Sequence, residues 1–351
     1  MAQTLRPTKF KDVDLGDPFF DSLKAQYGEF SEWFQKKAEE PVYVVDDDTT
    51  GGIRGFLYIK VENGEIKDVD PTLPPKKRLK VGTLKVIAKG TKLGERIIKR
   101  IFDHAILEGV EEVYVTVFDT HEALIKLFKR YGFEERGTKT TPNGQELVLL
   151  RSLQATTGDI VKDYPLLHTA GVSKWLLAIK PKYHTDLLPD SILKTEDPNS
   201  EDDVPHTNSI HKVYVAGLTL TQMKHGDLVV FYRTTDHKGP AYFRSVATSV
   251  CVVEETHGRA YFPDEEAFVQ FAKDHSVFSE QELRDRYNDG RQLYVAKLTY
   301  NVSFTKRPIR AVLLNDVGIS ELPYWQLRRL TDGQFEHILK LGEVDESLVV
   351  D

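Results

Sequence analysis

The chain has 351 residues, of which 40% are hydrophobic and 29% are charged, and its formal net charge is −7. This length suggests two domains of ordinary size, and the composition excludes an intrinsically disordered chain. No apolar run reaches the roughly 18 residues that span a bilayer, and the first residues lack the apolar centre of a signal peptide, so we expect a cytoplasmic location.

The first 153 residues have the sequence pattern of a mixed α/β (α+β) domain. A strand–helix–strand–helix–strand order after an N-terminal hairpin is typical of this class. The Asn63-Gly64 pair between two extended runs predicts the hairpin turn. In chain order the predicted elements are one or two helices within 18–40, strands at 42–45 and 53–61, the turn, a proline-rich connection (PTLPPKKR), a strand at 79–86, a helix at 92–107, a strand at 113–117, a helix at 122–130 and a strand at 147–150.

The rest of the chain has a different pattern. Residues 154–172 contain few secondary-structure signals and are predicted to be a linker. Many short strands separated by turn residues then predict a small β-barrel with added helices over 173–351. The predicted strands are 175–180, 213–216, 228–233, 241–254 and 293–300, and the predicted helices are 264–274, 280–286 and 332–341.

The segment LKVIAKGTKLGERIIKRI, residues 84–101, is the strongest local feature. A strand leads into a glycine-containing turn that opens an amphipathic helix, so unpaired N–H groups and the helix dipole favour a bound anion there. A pyrophosphate is the natural ligand, with Lys89, Lys92 and Arg96 adding charge. Residues 76–100 also carry ten basic side chains against one acid. By itself the spacing leaves open that Gly90 and Gly94 serve only a turn or close helix packing.

This segment resembles the acetyl-CoA motif of the GNAT acetyltransferase superfamily, Arg/Gln-x-x-Gly-x-Gly/Ala. Lys89 stands at the first position of that motif and Gly94 at its last, while Lys92 replaces the usual middle glycine.

A second stretch, TVFDTHEALIKLFKRYGFEE (116–135), resembles the other family signature, Asn-x-x-Ala-x-x-Leu-Tyr-x-x-x-Gly-Phe. Ala123, Leu127 and the Gly132-Phe133 pair match it. Thr120 replaces the asparagine and Phe128 the tyrosine. The two motifs occur in the family's order, and the resemblance covers residues 1–153.

The resemblance implies that acetyl-CoA lies as a co-substrate between two parted parallel strands, 79–86 and 113–117. The pantetheine arm would bind backbone groups near Val86 and Ile87, and Gly90–Glu95 would hold the pyrophosphate. The cofactor-binding residues implied in this way are Val86, Ile87, Lys89, Gly90, Thr91, Lys92, Gly94, Glu95 and Thr120.

The resemblance also implies direct attack of a substrate amine on the thioester, with an acid to protonate the departing thiolate. In the family this acid is often the tyrosine of the second signature. Phe128 takes that position here, so the candidate proton donors are Tyr131 and Tyr114, each of which is also explained as a packed aromatic residue. No base is predicted.

Residues 173–351 resemble PUA-like domains of the ASCH or EVE type. The segment SKWLLAIKPKYH (173–184) is similar to their opening strand, and residues 225–255 are similar to their central strands. The resemblance implies binding of RNA or a modified base, with aromatic platforms and basic side chains at Tyr232, Arg233, Arg244 and Arg328.

Acidic residues outnumber basic ones in this half, which argues against extended duplex binding and favours a single base or a tRNA end. Its scattered histidines match no metal-ligand spacing. Cys251 is the only cysteine, so an intramolecular disulfide and a cysteine-based zinc site are excluded. We therefore expect no metal.

Three functional hypotheses follow. The first is an N-acetyltransferase whose amine acceptor is carried on RNA, such as an aminoacyl-tRNA or a modified nucleoside; toxins of toxin–antitoxin systems in the same superfamily use this chemistry, which adds a toxin-like role. The second is a protein or small-amine acetyltransferase with a regulatory C-terminal domain. The third is a non-catalytic protein that binds CoA or nucleic acid.

Overall fold

A computed structural model describes residues 5–46, 51–87, 92–191 and 209–351. The chain divides into two compact units, Met1–Asp163 and Tyr164–Asp351. The fold class is mixed α/β (α+β), as predicted. Across the described ranges, every helix is too short or too polar to cross a lipid bilayer.

The first unit is built on one mixed sheet with the strand order β1-β2-β3-β4-β5-β7-β6. Neighbouring strands are antiparallel except β4 and β5, which are parallel. In chain order the elements are β1 Leu5–Lys9, α1 Asp21–Gln26, α2 Phe30–Lys36, β2 Pro41–Asp46, β3 Ile53–Ile66, β4 Leu73–Val86, α3 Leu93–Leu107, β5 Glu112–Phe118, α4 Glu122–Arg130, β6 Glu134–Thr141 and β7 Gly144–Ser152.

An aromatic cluster packs the short helices α1 and α2 against strands β2 and β3. Phe10 lies at its centre, with its ring 4.7 Å from Phe34 and 5.6 Å from Phe56, both edge-to-face. Such edge-to-face pairs add stability beyond the area that they bury. The cluster therefore fixes α1 and α2 over the sheet, where they form one wall of the site described below.

The predicted Asn63-Gly64 turn is wrong. Strand β3 continues to Ile66, and Asn63 and Gly64 pair with Lys77 and Lys76 of β4. Gly64 has a φ of 108°, and the register shifts between Gly64 and Ile66, so the glycine forms a bulge within the hairpin instead of its turn.

The predicted proline-rich connection is also wrong, because most of its residues are part of β4. Pro74 and Pro75 come before Arg78, where the pairing of β4 with β5 begins. Their missing N–H groups therefore remove no hydrogen bond between β4 and β5.

Helix α4 ends in a glycine turn that accounts for the Gly-Phe pair of the second motif. Gly132 has a φ of 79°, its N–H donates to Lys129, and the N–H of Phe133 donates to Phe128. This is the Schellman arrangement, which favours glycine at that position. The motif is thus a helix stop that also brings Phe133 against Phe128, with ring centroids 4.8 Å apart.

The second unit is built on a six-stranded sheet of order β10-β13-β12-β11-β9-β14, with β8 and β15 paired separately. Strands β9 and β11 are parallel, and the other neighbours in the large sheet are antiparallel. Its elements are β8 Leu167–His168, β9 Lys174–Ile179, α5 Pro181–Leu187, β10 His211–Ala216, β11 Leu228–Arg233, α6 Ala241–Arg244, β12 Val246–Gly258, α7 Glu265–Ala272, α8 Glu280–Asn288, β13 Tyr294–Ser303, α9 Arg310–Asn315, β14 Leu327–Leu330, α10 Asp332–Leu341 and β15 Val349–Val350.

Local sequence explains most element ends in this unit. Asp264, Ser279 and Thr331 accept N-cap hydrogen bonds at the starts of α7, α8 and α10. The predicted strand 241–254 begins late, because the residues after Pro240 form the short helix α6 and the strand starts at Val246. Residues 154–172, predicted as a linker, include the boundary between the units and strand β8.

Candidate functional site

The first unit contains a break between two neighbouring strands. Strands β4 and β5 pair in parallel from Arg78 opposite Glu112 to Val81 opposite Val115, and within the described residues the pairing stops there. Beyond that point β4 stays bonded to β3 and β5 to β7, so the two strands diverge. The divergence leaves the facing edge of β4 with backbone groups available to a ligand, inside a sheet where they would otherwise be paired.

A cleft of about 290 Å³ opens where the strands part. Its floor is formed by residues 80–84 of β4 and 115–117 of β5, and α1 and α2 supply aromatic walls. Tyr27, Phe30 and Trp33 are the aromatic residues of that wall. The cleft thus joins an open strand edge to an apolar wall, a combination that suits a ligand carrying amide groups on a flexible chain.

Glu146 of β7 places a carboxylate in this cleft. The residue is 5% exposed, and its Oε1 accepts a 3.0 Å hydrogen bond from the Tyr27 hydroxyl. Burial, and then the charges of Glu146 and Glu29, raise the pKa of Tyr27, so the phenol stays protonated and donates its hydrogen bond to Glu146. A buried carboxylate that faces a cleft and is held by a fixed donor suits proton acceptance.

His121 is a second titratable group in the cleft. It lies at the start of α4, and its Nε2 is 3.2 Å from Nε2 of Gln26 on α1. This contact connects helix α1 to the start of helix α4 at the cleft. The amide nitrogen of Gln26 can only donate, so Nε2 of His121 is the acceptor in this contact.

Three lysines line the sheet side of the cleft: Lys60 of β3, Lys80 of β4 and Lys139 of β6. Lys60 pairs with Glu62 and Lys139 with Asp68, each at 2.5 Å. The nearest carboxylate oxygen to Lys80, also on Glu62, is 3.9 Å away. Positive charge therefore exceeds negative charge at this end of the cleft.

The predicted cofactor-binding residues fall in three groups. Lys89, Gly90 and Thr91 lie outside the described residues. Val86 ends β4, and the N–H of Ile87 donates to Arg54 at 2.8 Å. Both positions therefore continue the strand edge at the divergence.

The remaining predicted cofactor-binding residues lie near the starts of helices α3 and α4. Lys92 is the N-cap of α3 and Glu95 is buried in its first turn. A Cβ on Gly94 would lie 3.0 Å from Leu127 Cδ2, so that glycine lets α3 approach α4 closely. Thr120 is exposed in the turn before α4.

Neither predicted proton donor is among the residues that line the cleft. Tyr114 on β5 is fully buried, and its hydroxyl donates to Glu62. Tyr131 is buried at the end of α4 beneath the Arg130 guanidinium, which lies 5.6 Å from the ring. Both assignments stay predictions; among the described residues, the tyrosines that line the cleft are Tyr27 and Tyr58.

The second unit has a larger cleft of about 880 Å³, lined by many aliphatic residues together with aromatic, basic and threonine side chains and Asp236. Trp325 is its most distinctive residue. It is 4% exposed, its ring lies 5.0 Å from Tyr232, and the guanidinium groups of Arg310 and Arg328 lie 4.6 and 5.1 Å from it. Its indole Nε1 has no hydrogen-bond partner among the described residues. A buried donor without a partner in a cleft wall is suited to a polar ligand.

The four predicted nucleic-acid-binding residues are not all in this cleft. Tyr232 lines it, and Arg328 contacts it through Trp325. Arg244 holds Asp236, a lining residue, through both guanidinium branches. Arg233 is 3% exposed on β11 and is not a lining residue.

Sequence reasoning missed the side chains that carry most of the site chemistry. Tyr27 and Glu146 are 119 positions apart, so no local motif connects them. Lys80 belongs to the basic segment 76–100, and nothing in the local sequence distinguishes it from the other basic residues there. Among the described residues no cluster of histidine, cysteine or carboxylate side chains has the arrangement of a metal site.

Comparison with known proteins adds likenesses of low identity. No protein-family model matches the chain, and no curated protein matches it. Among solved structures, ASCH from Zymomonas mobilis is similar at 11% identity and a TM-score of 0.34, over 48% of this chain and 94% of its own. An N-acetyltransferase from Staphylococcus aureus Mu50 is similar at 16% identity and a TM-score of 0.32, over 43% of this chain and 99% of its own. A putative phosphinothricin N-acetyltransferase is similar at 18% identity and a TM-score of 0.32, over 42% and 98%.

Proposed function

We propose that the first unit is an N-acetyltransferase that takes its acetyl group from acetyl-CoA. The observation that carries this proposal is the divergence of β4 and β5 after Val81 and Val115, with a cleft at the point of divergence. The open edge of β4 offers N–H and C=O groups to the two amides of a pantetheine arm, as an added strand would use them. The start of α3 at Leu93, the next described element after β4 in the chain, favours the phosphates of the nucleotide end.

When bound, acetyl-CoA supplies an activated acyl group. The protein's part is to hold the acceptor amine in line with it and to remove a proton from the amine. Glu146 is the residue for the second task, since it is the buried carboxylate of the cleft lining, whereas Glu29 is exposed. Tyr27 holds Glu146 in one orientation through its 3.0 Å hydrogen bond. Phe128, buried against Phe133, takes no part in proton transfer.

The experiment that tests this proposal measures CoA release from acetyl-CoA by the full chain, with and without a set of primary amines. Amine-dependent release, together with N-acetylated product in the mass spectrum, supports the function. Acetyl-CoA binding with no turnover on any amine favours a non-catalytic CoA-binding protein instead.

We further propose that the second unit binds the nucleic-acid part of an RNA-linked acceptor, such as an aminoacyl-tRNA. The support is the cleft around Trp325, where an aromatic platform has two guanidinium groups beside it and an unpartnered indole N–H. Unstacked bases bind to such platforms, and each stacked base is worth about 1–3 kcal/mol.

Titration with a short single-stranded RNA, followed by tryptophan fluorescence, tests this part. Quenching that is lost in Trp325→Phe and weakened in Arg310→Ala supports it. Quenching that persists in Trp325→Phe, or an RNA that does not bind at low salt, rejects it and leaves a protein or small-amine acceptor.

A further inference from the structure

The charges around Lys80 include a pair that ordinary sheets avoid. Lys60 of β3 and Lys80 of β4 are directly opposite each other in the antiparallel register, so their side chains extend from the same face. Like charges in that position destabilise a sheet. Both lysines line the cleft, and Lys139 joins them from β6. This arrangement brings three ammonium groups to one end of the site.

The carboxylates nearby compensate only part of this charge. Glu62 binds Lys60 at 2.5 Å and also accepts a hydrogen bond from the Tyr114 hydroxyl, and Asp68 binds Lys139 at 2.5 Å. Lys80 is left 3.9 Å from Glu62 and makes no hydrogen bond to any described residue. Three cations thus share two acids, and the uncompensated charge is on Lys80.

Lys80 is also poorly placed to be solvated by water. Its side chain is 16% exposed, and its ammonium lies 5.4 Å from the centre of the Tyr114 ring. Burial lowers the pKa of Lys80, Glu62 raises it, and the neighbouring Lys139 and Lys60 lower it further. A largely buried ammonium whose nearest carboxylate oxygen is 3.9 Å away gains from an anion that enters the cleft.

We propose that Lys80, assisted by Lys60 and Lys139, binds an anionic group of the acceptor, so that the acceptor is an amine that also carries a carboxylate or a phosphate. This inference rests on the proposed acetyltransferase function and specifies its substrate class. Glu146 lines the same cleft, which places the proton-accepting carboxylate and the anion-binding lysines around one acceptor.

The test compares three small amines of similar size as acceptors for the full chain: ethanolamine, which has no anionic group, β-alanine, which has a carboxylate, and phosphoethanolamine, which has a phosphate. We expect kcat/KM for at least one anionic amine to exceed that for ethanolamine by roughly tenfold, the effect of one charge-assisted hydrogen bond. The preferred anion distinguishes carboxylate from phosphate. Lys80→Met should remove most of this ratio and Lys80→Arg should retain it.

Lys126→Met is the matched control, because Lys126 is exposed on α4, is not among the residues that line the cleft, and pairs with Glu122 at 3.2 Å. It should keep the wild-type ratio. Equal kcat/KM for the three amines, or a ratio that survives Lys80→Met, overturns the inference while the transferase function stands.

If no amine is acetylated, the transferase function fails and binding decides the inference separately. Calorimetric titration of β-alanine and of phosphoethanolamine into the wild type and Lys80→Met then gives the answer. Binding that is lost in the variant supports an anion site at Lys80. No binding to the wild type, or equal binding to both proteins, overturns it.

Discussion

The hydroxyl of Tyr27 donates a 3.0 Å hydrogen bond to the carboxylate of Glu146, and this bond crosses the cleft from helix α1 to strand β7. The two residues are held by separate elements, one by the aromatic cluster under α1 and α2 and the other by the β5–β7 pairing. Glu146 is only 5% exposed, so this hydrogen bond satisfies a carboxylate oxygen that has little access to water. The packing of α1 and α2 on the sheet therefore determines the position of the carboxylate that we propose as the base.

Glu146→Gln should reduce kcat for acetyl transfer by about 100-fold or more, because general-base catalysis contributes at least that much. The amide keeps the shape of the side chain and still accepts from Tyr27, so acetyl-CoA affinity should change little. Steady-state kinetics with calorimetry on the same samples makes the comparison. Glu122→Gln on α4, an exposed acid paired with Lys126, is the control and should behave as wild type. Full activity in Glu146→Gln would remove Glu146 from the mechanism.

Gly82→Ala should destabilise the first unit by about 1–3 kcal/mol, the usual cost of overpacking. A Cβ at this position would lie 2.6 Å from Cδ1 of Tyr58. That ring cannot move aside easily, because it is 2% exposed and its hydroxyl is bonded to Glu40. Urea unfolding measures the loss. Gly28→Ala, where no atom lies within 4 Å of the added Cβ, is the control and should change the stability far less. Equal effects of the two substitutions would argue against this packing.

Gly132→Ala should cost more than Gly109→Ala, although both glycines follow the last turn of a helix with positive φ, 79° and 59°. Both substitutions incur the left-handed strain of about 1–2 kcal/mol. Only at Gly132 does the new Cβ also meet backbone, at 2.4 Å from the carbonyl oxygen of Lys162, whereas Gly109 faces open space. Thermal unfolding of both variants gives the comparison. A smaller loss for Gly132→Ala than for Gly109→Ala would contradict the contact.

His184 should make the second unit lose stability below about pH 6.5. Burial, together with Arg233 and Arg307, lowers the pKa of His184 to about 3 from its ordinary 6.5. Between these values the unfolded chain binds a proton that the folded chain does not, so the free energy of unfolding falls as pH falls, by up to about 1.4 kcal/mol per pH unit. Urea unfolding from pH 7 to pH 4 measures the slope.

The variant His184→Phe isolates this contribution, since other groups titrate in the same range. The stability difference between wild type and variant should shrink as pH falls below 6.5. A difference that is constant with pH would show that His184 is protonated normally in the folded protein.

Periodicity and turn chemistry were sufficient to predict the mixed α/β class and many elements. Helix α10 begins and ends at the predicted residues 332 and 341 because Thr331 caps it and its apolar spacing is regular. The prediction of a turn at Asn63-Gly64 is wrong because a glycine with positive φ is found in bulges as well as in turns. Strand β6 was missed because its sequence, EERGTKTT, is polar and pairs only at the sheet edge.

The site was harder to predict because its parts come from distant elements. Local motifs gave the strand ends at Val86 and Ile87 and the helix start at Lys92, which lie around the divergence of β4 and β5. The contact between Tyr27 and Glu146 depends on the order of seven strands, which no local pattern determines. Lys80 differs from its basic neighbours in facing another lysine, Lys60, across the strands, and this pairing depends on a register that no local pattern determines.

The central claim is that the cleft at the diverging strands binds acetyl-CoA, and calorimetric titration of acetyl-CoA into the full chain tests it most directly. The account predicts saturable binding of one molecule per chain, with a Kd between about 1 μM and 1 mM, the range typical of enzymes for their substrates. Free CoA should compete for the same site. Absence of binding at millimolar acetyl-CoA, by a protein that is folded in the same buffer, would contradict it.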